Sequence, residues 1–117
     1  MEQLAITSLV SRQFAAITDR ELREFVQARL VPPYCIQGDW QYGPQRSYPC
    51  WVVLEDPSAD VIVVFCEEKF GSTDPWGIMN LSTRSMGMDA NWHVALEHAV
   101  RNSSIWKGRN PIGYEVP

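Results

Sequence analysis

The sequence predicts an α+β domain, with N-terminal helices, a central antiparallel sheet of three or four strands and a C-terminal helix. Three observations carry this. Two apolar runs, Cys50 to Leu54 and Val61 to Phe65, are too short for stable helices and rich in β-branched residues; the turn-forming Glu55-Asp56-Pro57-Ser58-Ala59-Asp60 between them completes the pattern of a β-hairpin. Apolar residues recur at three- and four-residue spacing before the hairpin and again after Asp89. No repeat, low-complexity tract or change of composition interrupts the order, so residues 1–117 read as a single domain.

From Leu4 to Ile17 the positions Ile6, Leu9, Val10, Phe14 and Ile17 form one helical face. Thr18 followed by Glu21 makes a capping box for a second helix, whose stripe is Leu22, Phe25, Val26 and Leu30. Asp19 with Arg23 and Arg20 with Glu24 stand four apart on its outer side, and Val31-Pro32-Pro33 ends it. Tyr34 to Gln37 is a short strand, followed by a polar, glycine-bracketed loop, residues 38–46, that carries Trp40 and Tyr42. Pro49 enters the first hairpin strand.

With the turn centred near Ser58, Cys50 faces Cys66, Val52 faces Val64 and Leu54 faces Ile62. Trp51 and Val53 then share the other face with Val61, Val63 and Phe65, so both faces are apolar and both need cover. Residues 71–75 read as a loop, Trp76 to Leu81 as a strand and residues 82–88 as a loop. Asp89 caps a last helix to about Ser103, with Trp92, Ala95, Leu96, Ala99 and Val100 on its stripe, and a glycine-punctuated tail crosses the surface.

A chain of 117 residues, 45% hydrophobic and 21% charged, builds its own core without disulfides or metal. It lacks any run of about 18 apolar residues and any basic, apolar leader, which predicts a cytoplasmic protein with no membrane span. The formal charge of -4 is concentrated in the middle: residues 32–80 carry seven acids and two bases, whereas the flanks are nearly balanced. That distribution disfavours nucleic acid as a partner and suits a basic protein.

Motifs of catalysis are missing from the chain. It contains no glycine-rich phosphate loop, HExxH, paired-cysteine metal pattern or nucleophile elbow, and neither cofactor nor metal is expected. If the last helix starts at Asp89, His93 and His98 point about 140° apart. They do not form a two-histidine site, and His93 pairs with Glu97, which pairs in turn with Arg101. Cys66 with His93 as its base, oriented by Asp89 or Glu97, is the one nucleophilic arrangement the residue types allow. Cys50 and Cys66 also stand where a cross-strand disulfide could form, although a reducing cytoplasm favours free thiols.

Five tryptophans are many for this length. Trp51 and Trp92 have core positions, whereas Trp40, Trp76 and Trp106 stand beside glycine, proline or charge, where one side of the ring stays wet. Aromatic anchors within an acidic rim make a protein-binding face, assigned here to Trp40, Tyr42, Asp56, Asp60, Glu67, Glu68, Asp74 and Trp76.

At Phe70-Gly71, Pro75-Trp76-Gly77 and Met86-Gly87-Met88-Asp89 with Trp92, the chain resembles small bacterial proteins of unassigned function. In size, acidity and helix-sheet-helix order it is also similar to immunity proteins that neutralise secreted toxins. What the resemblance implies is a cytoplasmic inhibitor that occupies a basic toxin domain. The expected function is therefore non-catalytic protein binding. The alternatives are a small enzyme or ligand-binding domain built on Cys66 and His93, and a homodimer that covers one apolar sheet face with a second copy.

Overall fold

The computed structural model describes residues 2–40, 47–68, 73–87 and 89–117. Among them, two N-terminal helices, α1 (Gln3–Ala15) and α2 (Arg20–Gln27), precede a sheet of five strands, not three or four. These are β1 (Leu30–Asp39), β2 (Ser47–Asp56), β3 (Val61–Phe65), β4 (Trp76–Asn80) and β5 (Trp92–His93), antiparallel and in sequence order across the sheet. Helix α3 (Leu96–Asn102) follows. The α+β architecture expected from the sequence is the one observed.

Both faces of β3 are buried, as its unbroken apolar run requires. On one face Val53, Leu54, Val63, Phe65 and Trp76 pack against Ile6 and Val10 of α1, Leu22 and Val26 of α2, Leu96, Ala99 and Val100 of α3, and Trp106. On the other, Cys50, Val52, Ile62, Val64 and Met79 meet Ile36, Met86 and Trp92. The chain thus covers the second face itself, with the end of β1 and the segment after β4. Asp39 N–H donates to the Arg84 carbonyl and Met86 N–H to the Asp39 carbonyl, both at 2.8 Å, which closes β1 onto that segment. Each fully buried Val, Leu or Ile here contributes about 1.5–3 kcal/mol.

Register departs from expectation at one place. Val52↔Val64 and Trp51↔Phe65 pair as the turn position predicts, but an irregularity between Val52 and Leu54 then pairs Leu54 with Val63 rather than Ile62. A bulge of this kind puts one extra residue on β2, so Leu54 joins Val53 on the helix-covered face.

The helices differ from the sequence pattern at their ends. The cap of α2 is Asp19, not Thr18: its carboxylate accepts from Leu22 N–H at 3.2 Å. Helix α2 stops at Gln27, short of Leu30, because Arg29 turns back to donate to the Phe25 carbonyl at 3.1 Å and stacks 3.6 Å from the Phe25 ring. Leu30 already belongs to β1, which runs through Pro32 and Pro33. β1 is an edge strand whose register breaks between Leu30 and Tyr34, so the missing proline donors disturb no continuous ladder.

The largest correction concerns residues 89–103. A helix was expected from Asp89, yet Asp89–Asn91 is a single 3-10 turn, Trp92 and His93 form β5, and α3 begins only at Leu96. Trp92 pairs with Gly77, and its ring lies where a Cβ on Gly77 would sit, 2.6–2.7 Å away, while its indole N–H donates to the Met86 carbonyl at 2.8 Å. Those contacts hold Trp92 on the face opposite α3, so the helical stripe is broken between Trp92 and Leu96. The new helix start is satisfied from α1, where the Gln13 side chain accepts from Leu96 N–H at 3.0 Å.

Candidate functional site

The acidic residues assigned to one binding face divide between the two ends of the sheet. Asp56 and Asp60 flank the β2–β3 turn, and β3, five residues long, separates them by roughly 17 Å from Glu67, Glu68 and Asp74. Asp56 is engaged at its own end. It accepts from Ser58 Oγ at 2.7 Å, from Ala59 N–H at 3.3 Å and from Arg29 Nε at 3.1 Å. The Ser58 hydroxyl foremost, then Arg29, holds its carboxyl below the usual range. Asp60 sits at φ 57°, in the left-handed region that aspartate tolerates, and its carboxylate receives Ser82 N–H at 2.8 Å and the Ser82 hydroxyl. Its carbonyl accepts from Asn80 Nδ2 and Leu81 N–H. Both aspartates build the turn and bind it to β4.

At the opposite end the geometry is different. There Glu67 and Glu68 follow β3 and Asp74 precedes β4, whereas Asp39 and Trp40 lie at the end of β1, where Asp39 bonds to Arg84 and Met86 of the segment after β4. Glu67, Glu68 and Asp39 are exposed, and Asp74 and Trp40 are half-buried. Trp40 packs one side against the core cluster of Ile36 and Met86, as a partly wet anchor does. Tyr42 lies outside the described residues.

Trp76 is no surface anchor. It is 1% exposed, and its pairing with Phe65 turns the ring to the helix-covered face, where the two rings meet edge-on at 5.0 Å. Trp106 is likewise buried, edge-on to Phe25 at 5.0 Å and under the Arg109 guanidinium at 5.2 Å.

Cys66 and His93 are not brought together. Trp76 is paired with both Phe65 and His93, so His93 shares the helix-covered face, and Cys66, one residue beyond Phe65, points to the other. On the helix side His93 Nε2 lies 3.2 Å from Asn102 Nδ2 rather than against Glu97. Burial pushes the His93 pKa down, His98 adds to the shift and Asp74 opposes it. On the far side Cys50 and Cys66 lie together in the buried cluster, and the neighbouring Cys66 thiol, with burial, pushes the Cys50 thiol up.

Arg101, a heavily engaged charge, was missed in the sequence except for its pairing with Glu97. It lies 7% exposed on α3 and donates to Glu97 at 2.9 Å, Asp19 at 3.2 Å and Asn110 at 3.1 Å, with Tyr114 stacked 5.0 Å away. Asn110 returns a bond to the Arg101 carbonyl at 2.8 Å. Burial works against the charge, and the Glu97 and Asp19 bonds more than offset it. Asp19 thus pairs with a residue 82 positions away rather than with Arg23. Its three bonds make Arg101 a clasp between α2, α3 and the tail.

Among the described residues no group of three His, Cys, Asp or Glu side chains is placed to hold a metal ion, and no helix is long and apolar enough to cross a membrane. Beside β4 lies an uncharged cleft of about 270 Å³, walled in part by Asn80, Asn91, Asn102, Ser103 and Ser104. Comparison with protein-family models, with curated proteins and with solved structures found no match to this chain.

Proposed function

We propose that the chain is a non-catalytic protein-binding domain whose carboxylate-rich sheet end engages a basic protein surface, with inhibition of a toxin domain as its most concrete form. One observation supports the reading. Glu67, Glu68 and Asp39 are exposed and Trp40 is half-buried, while Asp56 and Asp60 build the β2–β3 turn. A half-buried aromatic together with exposed carboxylates has the composition of an interface hot spot and rim. Negative potential at this end would accelerate encounter with a cationic partner.

The test begins with capture at low and high salt, followed by association kinetics on the captured protein. For two exposed carboxylates about 8 Å from partner cations, reversal in Glu67→Lys/Glu68→Lys slows association roughly three- to tenfold after screening and flattens its salt dependence. Asp56→Asn/Asp60→Asn leaves the rate unchanged while lowering stability. An association rate indifferent to the Glu67 and Glu68 reversals would reject this face.

A further inference from the structure

We infer that Cys50 and Cys66 form a built-in thiol pair, a site of reversible oxidation that hydrogen peroxide closes to a cross-strand disulfide. The placement comes from the ladder. Trp51↔Phe65 is the last registered pair at this end of β2 and β3, and one further step sets Cys50 opposite Cys66. Cys66 spends its N–H on the Pro75 carbonyl, on the β4 side, at 2.9 Å. Toward β2 it therefore stands in the non-hydrogen-bonded kind of pair, whose α-carbons approach to about 4.5 Å. Disulfides span about 4.4–6.8 Å, so neither strand has to move to accept the bond. The two side chains share the buried cluster of the second face, where Cys50 Sγ donates to the Tyr48 carbonyl at 3.5 Å.

Their surroundings decide how the reaction runs. Both sulfurs belong to the buried cluster of the second face, at 0% and 1% exposure, against Cys35, which is exposed. Gly38 leaves the room: a Cβ there would come within 2.8 Å of Cys50 Sγ, 2.9 Å of Met79 Cε and 3.0 Å of Met86 Cγ. The pair nevertheless lies at a strand end, because β3 stops at Phe65 and Glu67 and Glu68 are exposed. Fraying of that end admits a small oxidant without unfolding the sheet.

In the first step the Cys66 thiolate attacks one peroxide oxygen, the O–O bond breaks, and a sulfenic acid and one water form. Cys50 sulfur then attacks the sulfenic sulfur and expels the second water, its own proton leaving with it. Two electrons pass from the two thiols to the peroxide, and one disulfide and two waters result. A reductant dithiol reverses the change by exchange.

The experiment uses the full chain carrying Cys35→Ser, so that only the pair is counted, with wild-type Cys35 as the benchmark for an exposed thiol. After hydrogen peroxide, both thiols disappear together, the intact mass falls by two hydrogens, and a peptide linking Cys50 to Cys66 appears. The closed loop raises Tm by on the order of 10 °C, and dithiothreitol restores the original value. In Cys35→Ser/Cys66→Ala, which keeps Cys50, no rise in Tm occurs. Two free thiols surviving a dose well above that which consumes Cys35 would overturn the inference. So would a gain of oxygen mass in place of the loss of hydrogen.

Discussion

Arg101→Met removes the guanidinium that joins α2, α3 and the tail while preserving most of the apolar stem. Its cost can be worked from the surroundings. Breaking a fully buried ion pair costs about 3–5 kcal/mol, because one charge is left without partner or water. Here the abandoned carboxylates are only partly shielded, Asp19 at 36% and Glu97 at 29% exposure, against 8% for Arg101 itself. Water can therefore replace the arginine at both, and each bond contributes about 1 kcal/mol net rather than its buried worth. With a similar amount for the Asn110 bond, the variant should lose about 3 kcal/mol, a fall of on the order of 10 °C in Tm. Asp19→Asn isolates one part, because asparagine caps the helix equally well and only the charge is lost; it should cost about 1 kcal/mol or less. Urea denaturation followed by circular dichroism, at constant slope, measures both. A loss below about 0.5 kcal/mol for Arg101→Met is what a surface change gives. That result would mean that desolvation of the arginine cancels its attractions, and that the clasp does not hold the tail.

Three further outcomes follow from particular contacts. Gly77→Ala places a methyl within 2.7 Å of three Trp92 ring carbons, and the ring is pinned by its bond to Met86, so the variant should lose about 1–3 kcal/mol in the same denaturation experiment. His93 has its folded pKa depressed below 6.5, so the unfolded chain binds the extra proton. Stability present above pH 6.5 is then lost as pH falls toward the folded pKa, and His93→Gln abolishes this first step in the denaturation midpoint. Asp19 and Asp56 have depressed pKa values, through Leu22 N–H and Ser58 respectively as the first cause, so their contribution persists above pH 3.8 and disappears only below it. Asp56→Asn should diminish that second step.

What was legible in the sequence was local. The hairpin, its two apolar faces and the first helix are written in residue periods of two and of three to four, which neighbours along the chain enforce. What was illegible depends on residues far apart: Gln13 capping Leu96, Arg101 holding Asp19, Ser82 holding Asp60. No window of sequence contains both partners of these contacts. The bulge at β2 is a smaller case, one inserted residue that transfers Leu54 from one face to the other without altering composition.

The tryptophans show why a composition argument for a binding face needs structure before it can be used. Trp76 beside Pro75 and Gly77 has the look of a loop aromatic, yet Gly77 is glycine because the Trp92 ring occupies its Cβ position, and Trp76 is turned to the opposite side of the same strand. The glycine therefore marks a ring packed across strands rather than a flexible neighbour of an exposed one. Charge behaves in the same way. Asp56 and Asp60 counted toward an acidic face until Arg29, Ser58 and Ser82 claimed them. The carboxylates to weigh for recognition are those with solvent-exposed side chains, which puts the emphasis on Glu67, Glu68 and Asp39 and removes it from the β2–β3 turn.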